Sequence, residues 1–268
     1  PRAAEAAPLD AQAVHGLSVR FREVRFAYRG GPTVLDGVSF ELRAGETLGI
    51  VGPSGAGKTT IVQLLLRFHE PDAGVIEVDG IDLRRVPRAS IPAAVVTELQ
   101  QPFLYSKRRR ENIVAAARAA EMEQHDIETS AQIACVHDTI ASFPEGYDTV
   151  VGEKGMTLSG GQRQRVAIAR ALVSTPRLLV LDDALSAVDA HTETAILDAL
   201  RARQRGQTRV IVSHRLSAVM VADRIIVLED GRITQSGTHD ELVAQPGLYR
   251  TLWDIQHASD AELEAADV

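Results

Sequence analysis

Gly52-Pro53-Ser54-Gly55-Ala56-Gly57-Lys58-Thr59 decides the fold of this chain. The apolar run Thr47-Leu48-Gly49-Ile50-Val51 leads into it, and Thr60-Ile61-Val62-Gln63-Leu64-Leu65-Leu66 leads out. The order strand, glycine-rich turn, helix is the context that a phosphate-binding loop requires. Gly52, Gly55 and Gly57 let the backbone turn tightly with its N–H groups pointing inward. Those donors and the positive end of the following helix form a nest for phosphate oxygens. Lys58 reaches the β- and γ-phosphates of a nucleoside triphosphate, and the Thr59 hydroxyl suits Mg²⁺. Pro53, Ser54, Ala56 and Thr60 complete the nucleotide-binding set.

Leu178-Leu179-Val180-Leu181-Asp182 reads as a strand of a parallel sheet buried on both faces. It ends in a carboxylate, which at the carboxyl edge of such a sheet lies beside the phosphate loop and can hold Mg²⁺. Arg209-Val210-Ile211-Val212 is a strand of the same buried type. Leu158-Ser159-Gly160-Gly161-Gln162 opens a helix whose stripe is Val166, Ile168, Ala169 and Leu172. Two glycines and a serine at a helix start offer N–H groups and a hydroxyl to an anion. One nucleotide already has its phosphates in the first loop, so this second anion-binding start suits the nucleotide of another subunit. An ordinary serine cap after a glycine turn is the other reading of the pentapeptide.

Towards the N-terminus, residues 1–15 read as an Ala- and Pro-rich linker. The apolar and charged residues of 17–28 alternate as a half-buried strand or pair of strands. With residues 34–42 they give an antiparallel β subdomain. Residues 75–80 read as a strand closing in an Asp-Gly turn, and 93–97 as a short apolar strand. From Arg110 to about Phe143 the periodicity is helical, an insertion within an α/β domain. Residues 225–228 and 232–234 flank Glu229-Asp230-Gly231 as a hairpin, and Thr238-His239-Asp240-Glu241 has capping-box spacing. The expected architecture is α/β: a phosphate-loop core with a parallel sheet, an N-terminal antiparallel β subdomain and a helical signature subdomain over about 103–175. The domain runs 16–257, followed by a flexible tail over 258–268.

Composition narrows the classes. Net charge is −7 and the isoelectric point about 5.6, so no global basic field favours nucleic acid. Cys135 is the single cysteine, which excludes a disulfide framework and thiolate zinc clusters; it reads as a small buried apolar residue. No apolar run approaches the roughly 20 residues of a membrane span. The start at Pro1 rather than Met suggests a piece cut from something longer.

Taken in order, these motifs resemble the nucleotide-binding domain of ATP-binding cassette transporters over roughly residues 17–255. The resemblance implies ATP and Mg²⁺ as cofactors and adds roles to further residues. Tyr28 matches the aromatic that stacks on adenine. Gln100 matches the glutamine that senses Mg²⁺ and the γ-phosphate, and His214 the switch histidine. Ser159, Gly160, Gly161 and Gln162 match the signature, offered in trans, and Ser186-Ala187-Val188-Asp189 the loop joining the two sites. Val151-Gly152-Glu153-Lys154-Gly155 resembles an exporter-type loop that touches the membrane domain of the opposite subunit.

Two departures qualify the resemblance. The family places a catalytic Glu directly after the Mg²⁺ carboxylate; here that position is Asp183, about 1.5 Å shorter in reach. Such a site is expected to bind ATP and hydrolyse it slowly, unless a small backbone adjustment restores the geometry. With an intact signature, the resemblance then implies one half of a heterodimer. The second departure is Lys107-Arg108-Arg109-Arg110, where relatives carry small and apolar residues. Four adjacent cations read as a solvated segment, or as one meeting acidic groups of a membrane domain or lipid headgroups.

The expected function is ATP binding and hydrolysis driving transport, at the cytoplasmic face of the cell membrane. The expected partners are a second, non-identical nucleotide-binding domain in a head-to-tail dimer and a transmembrane domain, without nucleic acid. A regulatory cassette that binds ATP without significant hydrolysis is the alternative. A cassette ATPase of the DNA-repair type would need a long coiled coil, and no sustained heptads occur here.

Overall fold

The computed structural model describes residues 8–10, 15–114, 123–151, 158–203 and 206–266. The Gly152-Glu153-Lys154-Gly155 part of the exporter-type loop lies outside the described residues, as do 1–7 and 11–14 of the linker. Two sheets organise the rest. The antiparallel one has the order β2-β1-β4-β5, from β1 (Val19–Ala27), β2 (Thr33–Leu42), β4 (Ala73–Val78) and β5 (Ile81–Asp82). Half of it therefore comes from residues after the phosphate loop. The stretch read as a strand or pair of strands is the single strand β1. Its inward residues Val19, Phe21, Val24 and Phe26 change phase between 21 and 24. A register shift there, with Glu23 at φ 47°, absorbs the odd residue and keeps Val24 on the core side.

The second sheet has the order β10-β9-β3-β8-β7-β6. Its parallel strands are β3 (Thr47–Val51), β6 (Val95–Leu99), β7 (Leu178–Asp182), β8 (Thr208–Val212) and β9 (Arg224–Glu229). β10 (Arg232–Gly237) closes the edge antiparallel to β9, the hairpin expected from Asp230-Gly231. All five residues of β3, β7 and β8 are buried. The period-two alternation of strands divides them between two cores. Leu178, Val180, Val210, Val212, Ile226 and Leu228 join one core, with α1 (Lys58–Leu65) and the antiparallel sheet. Leu179, Leu181, Ile211, Ile225 and Val227 join the other, with the helical segments. Filling both faces requires the unbroken apolar runs seen in the sequence.

The helical insertion is α3 (Arg109–Val114), α4 (Gln124–Ile133) and α5 (His137–Ala141). These pack with α6 (Gly160–Val173) through Ile113, Ile127, Ala131, Ile140, Val166 and Ile168. The short α2 (Ile91–Ala94) precedes β6, and α7 (Ala190–Arg203), α8 (Leu216–Val219) and α9 (His239–Val243) follow the later strands. The final helix α10 (Leu248–Ala266) continues past residue 258, where the sequence reading starts a flexible tail. Among the described residues no helix is long and apolar enough to cross a membrane.

The basic run 107–110 divides at the start of α3. Arg108 and Arg110 face outward to Asp148 at 3.7 and 3.6 Å. Arg109 turns inward, fully buried, with its guanidinium 3.5 Å over the Phe143 ring. Its three guanidinium nitrogens have no hydrogen-bond partner, and burial lowers its pKa. The solvated reading of the run therefore fails at Arg109, because successive helical residues point about 100° apart. Cys135 is half-buried, packed against the helical core, and burial pushes its thiol pKa up.

Candidate functional site

The phosphate loop joins β3 to α1 at the carboxyl edge of the parallel sheet. Glycine is required there by space as well as by torsion. A Cβ at Gly52 (φ 154°) would lie 2.1 Å from the Leu228 carbonyl oxygen on β9. One at Gly57 (φ 102°) would lie 2.7 Å from Leu35 Cδ2. Gly57 caps α1 without any side-chain bond, so the first N–H groups of the helix have no side chain competing for them. The Lys58 ammonium donates to the carbonyls of Gly52 at 2.8 Å and Pro53 at 2.9 Å, which folds it over the loop. Burial lowers its pKa, and the charges of Asp183 and Asp182 pull it back up.

Asp182 ends β7 and is 6% exposed. Burial raises its pKa; a hydrogen bond from the Thr59 side chain and the charge of Lys58 lower it, and Asp183 raises it further. Thr59 and Asp182 thus meet, two hard oxygen donors of the kind Mg²⁺ takes. Asp183 has left-handed backbone (φ 50°), with its N–H donating to the Val212 carbonyl at 2.8 Å. Its Oδ1 accepts from the His214 backbone N–H at 3.2 Å and lies 2.9 Å from His214 Nδ1. The loop, Lys58, Thr59, Asp182, Asp183 and His214 are therefore one cluster.

Tyr28 follows β1 at the edge of α1. Its hydroxyl donates to Gln63 Oε1 at 2.7 Å and lies 3.1 Å from Thr60 Oγ1. Its ring meets Phe26 and His69 edge-on. Tyr28 is thereby tied to α1 through Thr60 and Gln63, beyond the loop. Gln100 lies just beyond β6, and its backbone carbonyl accepts from Gln164 Nε2 at 3.0 Å.

The signature stands apart from this cluster. Ser159 caps α6 by accepting from Gln162 N–H at 3.2 Å, and Gln162 Oε1 accepts from Ser159 N–H at 2.9 Å. A Cβ at Gly161 would lie 2.7 Å from the Ala187 carbonyl oxygen, so the loop Ser186-Ala187-Val188-Asp189 sits directly on the signature helix. Among the described residues no hydrogen bond links 159–162 to the loop 52–59.

Three side chains that the sequence reading did not single out tie these loops together. Gln164, 3% exposed, donates to the Gln100 carbonyl and to Ser186 Oγ at 3.1 Å and accepts from Ala187 N–H at 2.8 Å. Arg215 donates to the carbonyls of Val188 at 2.9 Å and Ser186 at 3.1 Å. It also reaches Glu193 at 3.0 Å, and Ser217 donates to the same buried carboxylate at 2.6 Å. The signals were present: a Gln on the buried stripe of a helix, an Arg directly after His214, and an acid inside a helix.

The chain is similar in sequence and fold to known proteins. A sequence model of the family described as "ABC transporter" matches residues 35–186. The ATM1-type heavy metal exporter of Novosphingobium aromaticivorans is 42% identical over 94% of this chain and 41% of its own length. The mycobactin import ATP-binding/permease protein IrtB of Mycolicibacterium thermoresistibile is 43% identical, over 90% of this chain and 41% of its own. ATP-binding cassette sub-family B member 6 of Mesocricetus auratus is 42% identical over 90% of this chain and 28% of its own. A solved bacterial Atm1-family ABC exporter with ATP bound superposes with a TM-score of 0.88 at 42% identity, covering 95% of this chain and 45% of that one. The chain spans less than half the length of these relatives. Loop, sheet and sequence agree, and the chain belongs to the ABC transporter family, of which it carries the ATP-binding cassette.

Proposed function

We propose that this chain is the ATP-hydrolysing motor of a membrane transporter, at the cytoplasmic face, and that its own site is the slow one of a non-identical pair. The observation that carries this is the separation of the two anion-binding helix starts. Lys58, Thr59, Asp182, Asp183 and His214 form one cluster, while Ser159 to Gln162 close upon themselves on α6. A second cassette in head-to-tail arrangement would supply the missing signature and receive this one. Residues 16–257 would be the cassette and 103–175 its helical subdomain, with 1–15 leading to the membrane domain and 258–268 trailing. The relatives' fusion of such a cassette into chains more than twice as long supports a transmembrane partner. The Atm1-family neighbour supports the exporter-type reading.

In this reading the loop N–H groups and Lys58 bind the phosphates, and Tyr28 stacks on adenine. Thr59 and Asp182 would hold Mg²⁺ with Gln100, where the ion would neutralise charge on the β- and γ-phosphate oxygens. His214 contacts the γ-phosphate and is held by Asp183 Oδ1. That bond engages one carboxylate oxygen, leaving the other to orient the attacking water from about 1.5 Å farther back than a Glu would. A misplacement of about 1 Å costs on the order of 100-fold in rate. Asp183→Glu should therefore raise single-turnover hydrolysis at the Lys58 site by about tenfold or more, with the partner's site unchanged. An unchanged rate at its own site would refute the slow-site reading. A rate of zero before and after would favour the binding-only alternative.

A further inference from the structure

The turn His214-Arg215-Leu216 is gripped from two sides. On one side the Arg215 guanidinium reaches the carbonyls of Ser186 and Val188. On the other, a single side chain of the last helix spans the turn. Gln256 Nε2 donates to the His214 carbonyl at 2.9 Å, and Gln256 Oε1 accepts from Leu216 N–H at 2.9 Å. The primary amide carries both a donor and an acceptor, so only one orientation of it satisfies both bonds. Between α10 and this turn lies an open cleft of about 610 Å³ lined by His214, Arg215, Ser217, Trp253, Gln256 and His257. Leu216 is anchored in the core, and the Gln256 amide bridges the cleft to the backbone on either side of Arg215.

The base of the bridge is rigid. Tyr249, fully buried near the start of α10, has its hydroxyl 2.8 Å from His239 Nδ1, and its N–H donates to Gln235 Oε1 at 3.1 Å. Trp253, one turn on, packs edge-on against His239 and His257 with ring centroids 4.7 and 3.7 Å away. Gln256 therefore projects from a helix fixed to α9 and β10, and any movement of α10 is passed to the His214 backbone.

We propose that Gln256 is a positioning residue for His214: it holds the histidine's main chain so that the imidazole meets the γ-phosphate and Asp183 in register. This rests on the reading of His214 as the γ-phosphate contact. It adds a residue of the last helix to the hydrolytic machinery, one that touches no nucleotide itself.

The test uses the full-length chain assembled with its partner, with single-turnover hydrolysis at the Lys58 site and titration of a fluorescent ATP analogue. Gln256→Met keeps length and helix propensity but removes both hydrogen bonds. It should lower the hydrolysis rate by about tenfold while nucleotide affinity stays within about twofold. Gln256→Glu keeps the bond from Leu216 N–H and sets a negative charge against the His214 carbonyl, so it too should slow hydrolysis without loss of binding. In a His214→Ala background Gln256→Met should have no further effect, because the group it positions is gone. An undiminished rate in Gln256→Met, or a further tenfold loss in the His214→Ala background, would overturn the proposal. If His214→Ala itself leaves the rate unchanged, the γ-phosphate assignment fails first and the proposal falls with it.

Discussion

Two helices of this chain begin at glycine-rich turns, and they begin differently. α1 starts at Gly57 with no side-chain cap, and the nearest cation, Lys58, is folded over loop carbonyls. α6 starts at Ser159 with a complete capping box, each partner satisfying the other's backbone N–H. The first start presents donors that an anion alone would satisfy. The second is already content within its own chain, a contribution of about 1 kcal/mol to the helix. An anion at the α6 start must compete with Ser159 Oγ for the Gln162 N–H and with Gln162 Oε1 for the Ser159 N–H, whereas phosphate entering the first loop displaces no cap. The contrast suits a loop that keeps its nucleotide and a signature that engages one only when a second cassette approaches.

The contrast can be broken at either end. The largest effect should come from Lys58→Ala, which removes the loop's only mobile cation and should abolish tight Mg-ATP binding in a fluorescence titration. Unchanged affinity would show that the open helix start is not the nucleotide site. Ser159→Arg should come next. It fills the signature with a bulky cation and should stop single-turnover hydrolysis at the partner's site, while ATP binding at the Lys58 loop persists. If the partner's site continues to turn over, the head-to-tail arrangement is wrong.

The smallest effect is a protonic one. Burial lowers the Lys58 pKa, so the free protein begins to lose this proton below the ordinary lysine range. Bound phosphates favour the ammonium and raise the pKa again. ATP binding should then take up protons at alkaline pH, just below the ordinary lysine range, and affinity should fall as pH rises through the lowered value. Calorimetry in two buffers of different ionisation enthalpy measures the uptake; its absence would mean that Lys58 meets no phosphate.

The parts of the site legible in the sequence are those whose meaning is local. The phosphate loop carries its strand and its helix with it, and Asp182 ends a run whose apolar residues demand burial on both faces. Ser159 and Gln162 cap within four residues of one another. The side chains that join the loops were not legible, because their partners are remote backbone atoms. Gln164 meets the carbonyl of Gln100, and Gln256 that of His214. No spacing announces such bonds, since a carbonyl is present at every residue. Arg109 failed for another reason: in a run of four cations charge alone gives no direction, and only the register of α3 against Phe143 turns one of them inward. The strand order was hidden likewise, with β9 beside β3 although some 170 residues separate them.

That last adjacency governs how the molecule comes into being on the ribosome. β3, the strand that delivers the phosphate loop, is flanked in its sheet by β8 and β9. Until Thr208–Val212 and Arg224–Glu229 have been synthesised, the loop hangs from a strand with no neighbours in that sheet. The nascent chain therefore carries its most recognisable motif long before it can hold a nucleotide, and the loop-closing contacts that complete it are of the slow, non-local kind.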